Sequence, residues 1–302
     1  MNWRILLCFS AALPLFSAGI LRGADLGFDS AKIEAITGLK GTTNTKEGVF
    51  KVTSPRKDVA ITVDGWRMPP FMGLTSWAAF KAGGQRQAMV MGDLVLFEDE
   101  VNPVMSALLD HGLQVTALHN HFFFDQPHVF FMHIGGEGTI EELAGGVRAV
   151  FDTVKQTRAA HPELGRQFTA LGLPEKSSIT AEPLEAIMAA KAQRNSGMVK
   201  FVFGRETTME CGCPAGTEMG VNTWAAFAGA DDNAVVDGDF AMKESELQQV
   251  LKILRGDGIN IVAIHQHMTG ETPRIIFLHY WGRGKAADLA GSLKKALATQ
   301  AQ

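Results

Sequence analysis

Residues 115–133 read VTALHNHFFFDQPHVFFMH, and residues 261–279 read IVAIHQHMTGETPRIIFLH. In each, an apolar run ends in His-x-His, a short loop with one proline follows, and a second apolar run ends in another histidine. The two stretches align without a gap at an offset of 146, pairing His119 with His265, His121 with His267 and His133 with His279. These six are two-thirds of the nine histidines in the chain. Two apolar runs around a turn predict a β-hairpin. Imidazole binds metals and exchanges protons near neutral pH, so the stretch marks an architectural unit and a place for chemistry together.

The repetition extends outward. A helix is expected over Ser30–Thr37, with Asp29 or Ser30 as N-cap and Gly38 closing it; its Ile33-Glu34-Ala35-Ile36 reappears as Leu184-Glu185-Ala186-Ile187. Strands are expected over 49–53 and 58–63, and the counterpart of this β-rich run begins at 198–203. Thr75-Ser76-Trp77-Ala78-Ala79-Phe80 matches Asn222-Thr223-Trp224-Ala225-Ala226-Phe227. A strand at Met91-Gly92-Asp93-Leu94-Val95-Leu96 matches Asp237-Gly238-Asp239-Phe240-Ala241-Met242. Helices over 100–111 and 246–255 place acids at their N-terminal ends, where the macrodipole favours them. Amphipathic helices over 141–158 and 286–298 close the copies. The spacing predicts repeat one over 28–157, a linker over 158–178 and repeat two over 179–302. The period far exceeds that of solenoid repeats, so each copy is a domain-sized unit. The expected fold class is α+β: an internal duplication of two similar α/β units, each a mainly antiparallel sheet with packed helices.

With the hairpin loop centred on Gln126, His119 falls opposite His133 and His121 opposite Phe131; in the second copy His265 falls opposite His279 and His267 opposite Phe277. Residues two apart on a strand share a face, as do directly opposed residues. Each copy then gathers three histidines on one face, whereas a one-residue slip would turn one side away. The same face is expected to continue as Leu113, Val115, Ala117 and Ile259, Ile261, Ala263. Three neutral imidazoles with an open fourth position suit Zn2+ or another divalent transition metal. His119, His121, His133, His265, His267 and His279 are therefore the metal-site residues. Each ring needs an acceptor for its other nitrogen, sought among Asp93, Asp239, Asn120, Gln266, Glu98 and Glu244. Asp93 and Asp239 are also the weak catalytic candidates, although Gly92-Asp93 and Gly238-Asp239 read first as turns into strands. A metal-free polar site and purely structural histidines are the alternatives. Trp77 and Trp224 read as core packing. His128, aligned with Arg274, takes no site role, and His111 and His161 read as surface residues.

Net charge is −4, with 46% apolar and 20% charged residues, an ordinary globular balance with no basic footprint for nucleic acid. Residues 1–4 and the apolar run 5–21 have the form of a secretory signal peptide, cleaved after Gly19 or Ala24, and no second stretch approaches a spanning length. Export leaves Cys211 and Cys213, which read as a soft-metal pair, a redox pair or two buried thiols. No nucleotide-binding glycine loop, Gly-x-Ser-x-Gly elbow or His-Glu-x-x-His helix is present.

Several motifs resemble a bacterial family of exported proteins of unknown function, the LppY/LpqO-like family. They are Pro55-Arg56-Lys57-Asp58, Ser76-Trp77-Ala78-Ala79-Phe80, Met91-Gly92-Asp93-Leu94-Val95, Glu100-Val101-Asn102-Pro103-Val104, Ala117-Leu118-His119-Asn120-His121 and Phe277-Leu278-His279-Tyr280-Trp281-Gly282. The resemblance implies an exported protein with this duplicated layout and carries no established activity. The chain lacks a lipobox, which favours a free periplasmic or secreted protein. The expectation for function is an exported protein that binds a transition metal or a polar small ligand at the histidine clusters. The alternatives are a metal-dependent hydrolase of cell-envelope material and a non-catalytic structural or interaction module of the envelope.

Overall fold

Burial alternates along strand after strand. Thr75–Ala82 buries Ser76, Ala78 and Phe80 and leaves the residues between them partly open, as a sheet with one covered face requires. In the computed structural model, which describes residues 26–83, 86–163 and 172–300, twelve strands join in one antiparallel sheet. The expected leader and the middle of the expected linker lie outside the described residues. The strands of repeat one are β1 (Gly41–Asn44), β2 (Val49–Pro55), β3 (Thr75–Ala82), β4 (Ala88–Phe97), β5 (Gln114–His119) and β6 (Val129–Gly138). Those of repeat two are β7 (Gln193–Asn195), β8 (Met198–Gly204), β9 (Asn222–Ala230), β10 (Asn233–Lys243), β11 (Asn260–His265) and β12 (Ile275–Gly284). Their order across the sheet is β1-β2-β3-β4-β6-β5-β11-β12-β10-β9-β8-β7. Read from either edge the pattern is the same, so a pseudo-twofold axis passes between β5 and β11.

Six helices pack on one face: α1 (Ser30–Thr37), α2 (Glu98–Asp110), α3 (Ile140–Ala160), α4 (Ala181–Met188), α5 (Leu247–Gly256) and α6 (Ala286–Ala298). Asp29 caps α1 by accepting from the Ala31 amide, and Gly38 closes it at φ 70°. One apolar core beneath the helices takes residues from all six and from both repeats, including Leu118 and Ile264, which pair across the axis. Apart from that pair, the central strands are held by side-chain amides. Asn102 on α2 donates to the Ile261 carbonyl (3.2 Å) and accepts from its amide (2.8 Å). Gln248 on α5 does the same for Val115, at 2.8 and 3.1 Å. Each repeat thereby satisfies backbone groups of the other that the sheet leaves unpaired.

The opposite face carries two smaller apolar clusters. Residues 56–74 fold over it and bury Ile61, Met68 and Leu74 against Val95, Phe97, Val129 and Phe131. Residues 205–221 do the same in repeat two, burying Ala215 and Val221 against Ala241, Ile275 and Phe277. The expected strand over 58–63 shrinks to Thr62–Val63, because this excursion leaves the main sheet and pairs with Trp66–Arg67 and with Asp125–Gln126 of the histidine loop. Arg56 anchors the first excursion with two bonds to the fully buried Glu100 (2.6 and 2.7 Å), and Arg205 anchors the second on Glu246 (3.1 Å). Glu100 also accepts from the Phe97 amide at 2.9 Å, so one carboxylate both starts α2 and holds the excursion.

Candidate metal centre

Asp93 on β4 faces His133 on β6, and His133 faces Ala117 on β5. In repeat two Asp239 on β10 faces His279 on β12, which faces Ala263 on β11. These residues lie on the face away from the helices, between the two excursions. The hairpin register differs from the expected one: His119 pairs with Phe131 and His265 with Phe277, not with His133 and His279. The displacement is two residues, and an even shift preserves the face. The rings still gather. Centroids lie 5.1 Å apart for both His119–His133 and His119–His121. In repeat two they are 4.7 Å apart for His265–His279 and 5.1 Å for His265–His267.

A β-bulge at Thr116, repeated at Val262, overturns a second expectation. The extra residue reverses the alternation, so Leu113, Val115, Ile259 and Ile261 belong to the helix-side core, and only Ala117 and Ala263 stay on the histidine face. Gly92 and Gly238 are not turns; both lie within long strands. A Cβ at Gly92 would meet the Trp77 carbonyl at 2.6 Å, and one at Gly238 the Tyr280 hydroxyl at 2.2 Å. Glycine therefore lets the helix side close up while the next residue, aspartate, points at the imidazoles. The Leu118–Ile264 pair brings His119 and His265 onto neighbouring strands at the middle of the face. His133 and His279 lie three strand spacings apart, about 14 Å, so the two clusters spread outward from the axis on one floor.

Asp239, His265 and His267 bring ligand atoms within 4.8 Å of one another and form a group that could hold a metal ion. His267 Nε2 lies 3.1 Å from Asp239 Oδ2, and His279 Nδ1 lies 3.3 Å from the Gly238 carbonyl. In repeat one His121 Nε2 lies 3.2 Å from His119 Nε2 instead. Four buried polar atoms around the two centres have no hydrogen-bond partner among the described residues: Asp93 Oδ1, His119 Nδ1, Asp239 Oδ1 and His265 Nδ1. Unpaired buried polar atoms are costly and call for an explanation. Burial pushes both carboxyls above their ordinary range, against the pull of neighbouring histidines. It also lowers His119 and His121, and takes His265 down to about 4, with His279 and His267 adding repulsion. These rings are neutral at pH 7, the form that binds metal.

Other expected residues lie elsewhere. Asn120 braces the loop by donating to the Val129 carbonyl, while Glu98, Glu244 and Gln266 are exposed. His111 and His161 are exposed, and His128 rests on Asp125 at 3.2 Å. Cys211 and Cys213 are exposed and joined as a disulfide in a turn of the second excursion, so they are neither buried thiols nor metal ligands. Trp77 and Trp224 are half-buried outside the core, each directly paired with the site aspartate and each under a lysine, Lys51 or Lys200. Sequence reading missed this role because Trp-Ala-Ala-Phe is apolar at every position and shows no face.

A comparison with curated proteins gives no match. Among solved structures, a trimeric bacterial microcompartment shell protein PduB aligns at 9% identity over 86% of this chain and 89% of that chain, with a TM-score of 0.18, too low to carry an argument. The family model described as Domain of Unknown Function (DUF1259) matches twice, over residues 31–153 and 182–299. The duplication read from the histidine stretches is thus two copies of one domain, and the chain belongs to the DUF1259 family.

Proposed function

We propose that this protein is an exported bacterial binding protein that holds a divalent transition metal, zinc in the first instance, at Asp239, His265 and His267, with His279 beside them. Asp93, His119, His121 and His133 form the counterpart centre. The observation that carries the reading is the pair of orphaned buried atoms, Asp239 Oδ1 and His265 Nδ1, in the group whose donors already converge. A cation there would satisfy the carboxylate that burial disfavours and would use the His265 imidazole that burial keeps neutral. One carboxylate with two or three imidazoles suits zinc, copper, nickel or iron. As a ligand Asp239 would not be free to act as a general base, which favours binding over hydrolysis. The leader sequence and the resemblance to LppY/LpqO-like proteins support a periplasmic or secreted location; among the described residues no helix is long and apolar enough to cross a membrane.

Metal analysis of protein purified without a histidine tag tests the reading. About one tightly held zinc-class ion per chain, lost in His265→Ala, is expected. Protein that neither retains nor takes up stoichiometric zinc, copper, nickel or iron would remove it.

A further inference from the structure

Beside each centre stands a pair of residues that metal binding does not use. Lys51 Nζ lies 4.0 Å above the Trp77 ring and Lys200 Nζ 4.5 Å above the Trp224 ring. Neither ammonium has a carboxylate within 4.0 Å among the described residues. Neither indole belongs to the helix-side core or to the clusters under the excursions. The placement is fixed by the sheet: Trp77 pairs with Asp93 and Asp93 with His133, so indole and imidazole are two strand spacings apart, about 10 Å. Trp224, Asp239 and His279 repeat the row.

Their neighbours on the same face have diverged between copies. Met91 corresponds to Asp237, Gly135 to Trp281 and Glu137 to Arg283, whereas lysine, tryptophan, aspartate and histidine stay the same. Drift at these positions beside a fixed lysine, tryptophan, aspartate and histidine is what one working unit would show, and Ala79/Ala226, Ala117/Ala263 and Phe131/Phe277 on the same face are fixed with them. The unit's parts differ in chemistry: a donor set for a cation at one end, and at the other an ammonium seated on an indole ring. Cation–π contact holds each ammonium weakly at a partly exposed site, with the Asp93 carboxylate adding a longer-range attraction on Lys51, which leaves it available to an anion.

We propose that each Lys–Trp pair is the anion-binding end of its neighbouring Asp/His centre, and that the ligand is a small organic dianion of the dicarboxylate class. One carboxylate would ligate the metal, the apolar middle would span the distance to the Lys–Trp pair, and the second carboxylate would meet the ammonium seated on the indole. This rests on the metal reading above.

The probe is terephthalate, with benzoate as the one-carboxylate control, titrated calorimetrically into full-length protein whose zinc content has been measured on the same sample. Zinc-loaded protein should bind terephthalate at least tenfold more tightly than benzoate. The double variant Lys51→Met/Lys200→Met should lose that advantage while its zinc content and circular dichroism stay unchanged. Zinc loading with equal affinity for the two probes, or with a preference the double variant keeps, overturns the dianion proposal and leaves the metal reading standing. Failure to load zinc overturns the metal reading. The anion end is then judged on metal-free protein, where lysine-dependent terephthalate binding sustains it and its absence overturns it.

Discussion

The two centres carry the same four residues, one aspartate and three histidines, at equivalent positions, yet they are set differently. In repeat two Asp239 is 3% exposed and already meets His267. In repeat one Asp93 is half-buried, and His121 turns to His119 instead of to the carboxylate. The loops after the His-x-His differ as well. Repeat one has Phe122-Phe123-Phe124, with Phe123 and Phe124 85% and 78% exposed; repeat two has Met268-Thr269-Gly270. In both repeats the excursion pairs with the loop, Thr62–Val63 with Asp125–Gln126 in repeat one and Thr208 with Thr272, at 3.0 and 2.9 Å, in repeat two. A shared scaffold therefore fixes which residues meet, while the loops fix how closely. Repeat two gathers its donors as a group that could hold a metal ion, and repeat one sets the same residue types with His121 turned away from Asp93.

The difference can be broken from the anchors inward. Glu100→Gln removes the charge from a fully buried carboxylate that two arginines meet, Arg56 and Arg158. Losing one partner of a buried pair costs about 3–5 kcal/mol, so denaturant unfolding should show repeat one destabilised on that scale. Glu246→Gln should cost less, because Arg205 meets Glu246 through longer contacts. Asn102→Ala should cost about 1–3 kcal/mol by stranding the amide and carbonyl of Ile261. Gln248→Ala should match it at Val115, and unequal costs would show that the axis is not symmetric in energy.

Smaller effects sharpen the comparison of the loops. Phe124 has φ 57° where Gly270 has φ 82°, and a bulky residue in the left-handed region is strained by about 1 kcal/mol or more. Phe124→Gly should therefore raise stability by about 1 kcal/mol, and Gly270→Ala should lower it by a similar amount. A weaker effect still is expected from pH, because His265 is partly exposed. Its folded pKa of about 4 lies below the ordinary 6.5, so the unfolded chain takes up the proton first. Its contribution to the stability of metal-free protein is complete above pH 6.5 and is lost as pH falls towards 4. Asp239, held up by burial, acts in the opposite sense. His265→Gln should flatten the acid limb of the stability curve, and an unchanged limb would contradict the burial.

Much of this was legible in the sequence because it is periodic. The 146-residue offset exposed the duplication, and the helices at Ser30–Thr37 and Ala286–Ala298 lie where their caps and periodicity place them. The histidine face survived a wrong register only because the shift is even. The bulges at Thr116 and Val262 left no trace, since Val115 and Ala117, like Ile261 and Ala263, are apolar on either side of them. The Arg56–Glu100 pair spans 44 positions, and the Asn102 and Gln248 clamps span 159 and 133. No local pattern records such partners. Asp93 and Asp239 were noticed, but only the strand pairing shows that each faces an imidazole.

The central claim, one scaffold with a tight centre and a looser one, is tested most directly by competitive zinc titration of untagged protein, wild type against Asp239→Ala and Asp93→Ala. The account predicts two classes of site. Asp239→Ala should weaken the tight class by at least about 100-fold, since residues that only support a ligand already cost 10–100-fold. Asp93→Ala should abolish only the weaker class. Two equal sites, or a tight site that survives Asp239→Ala, would contradict it.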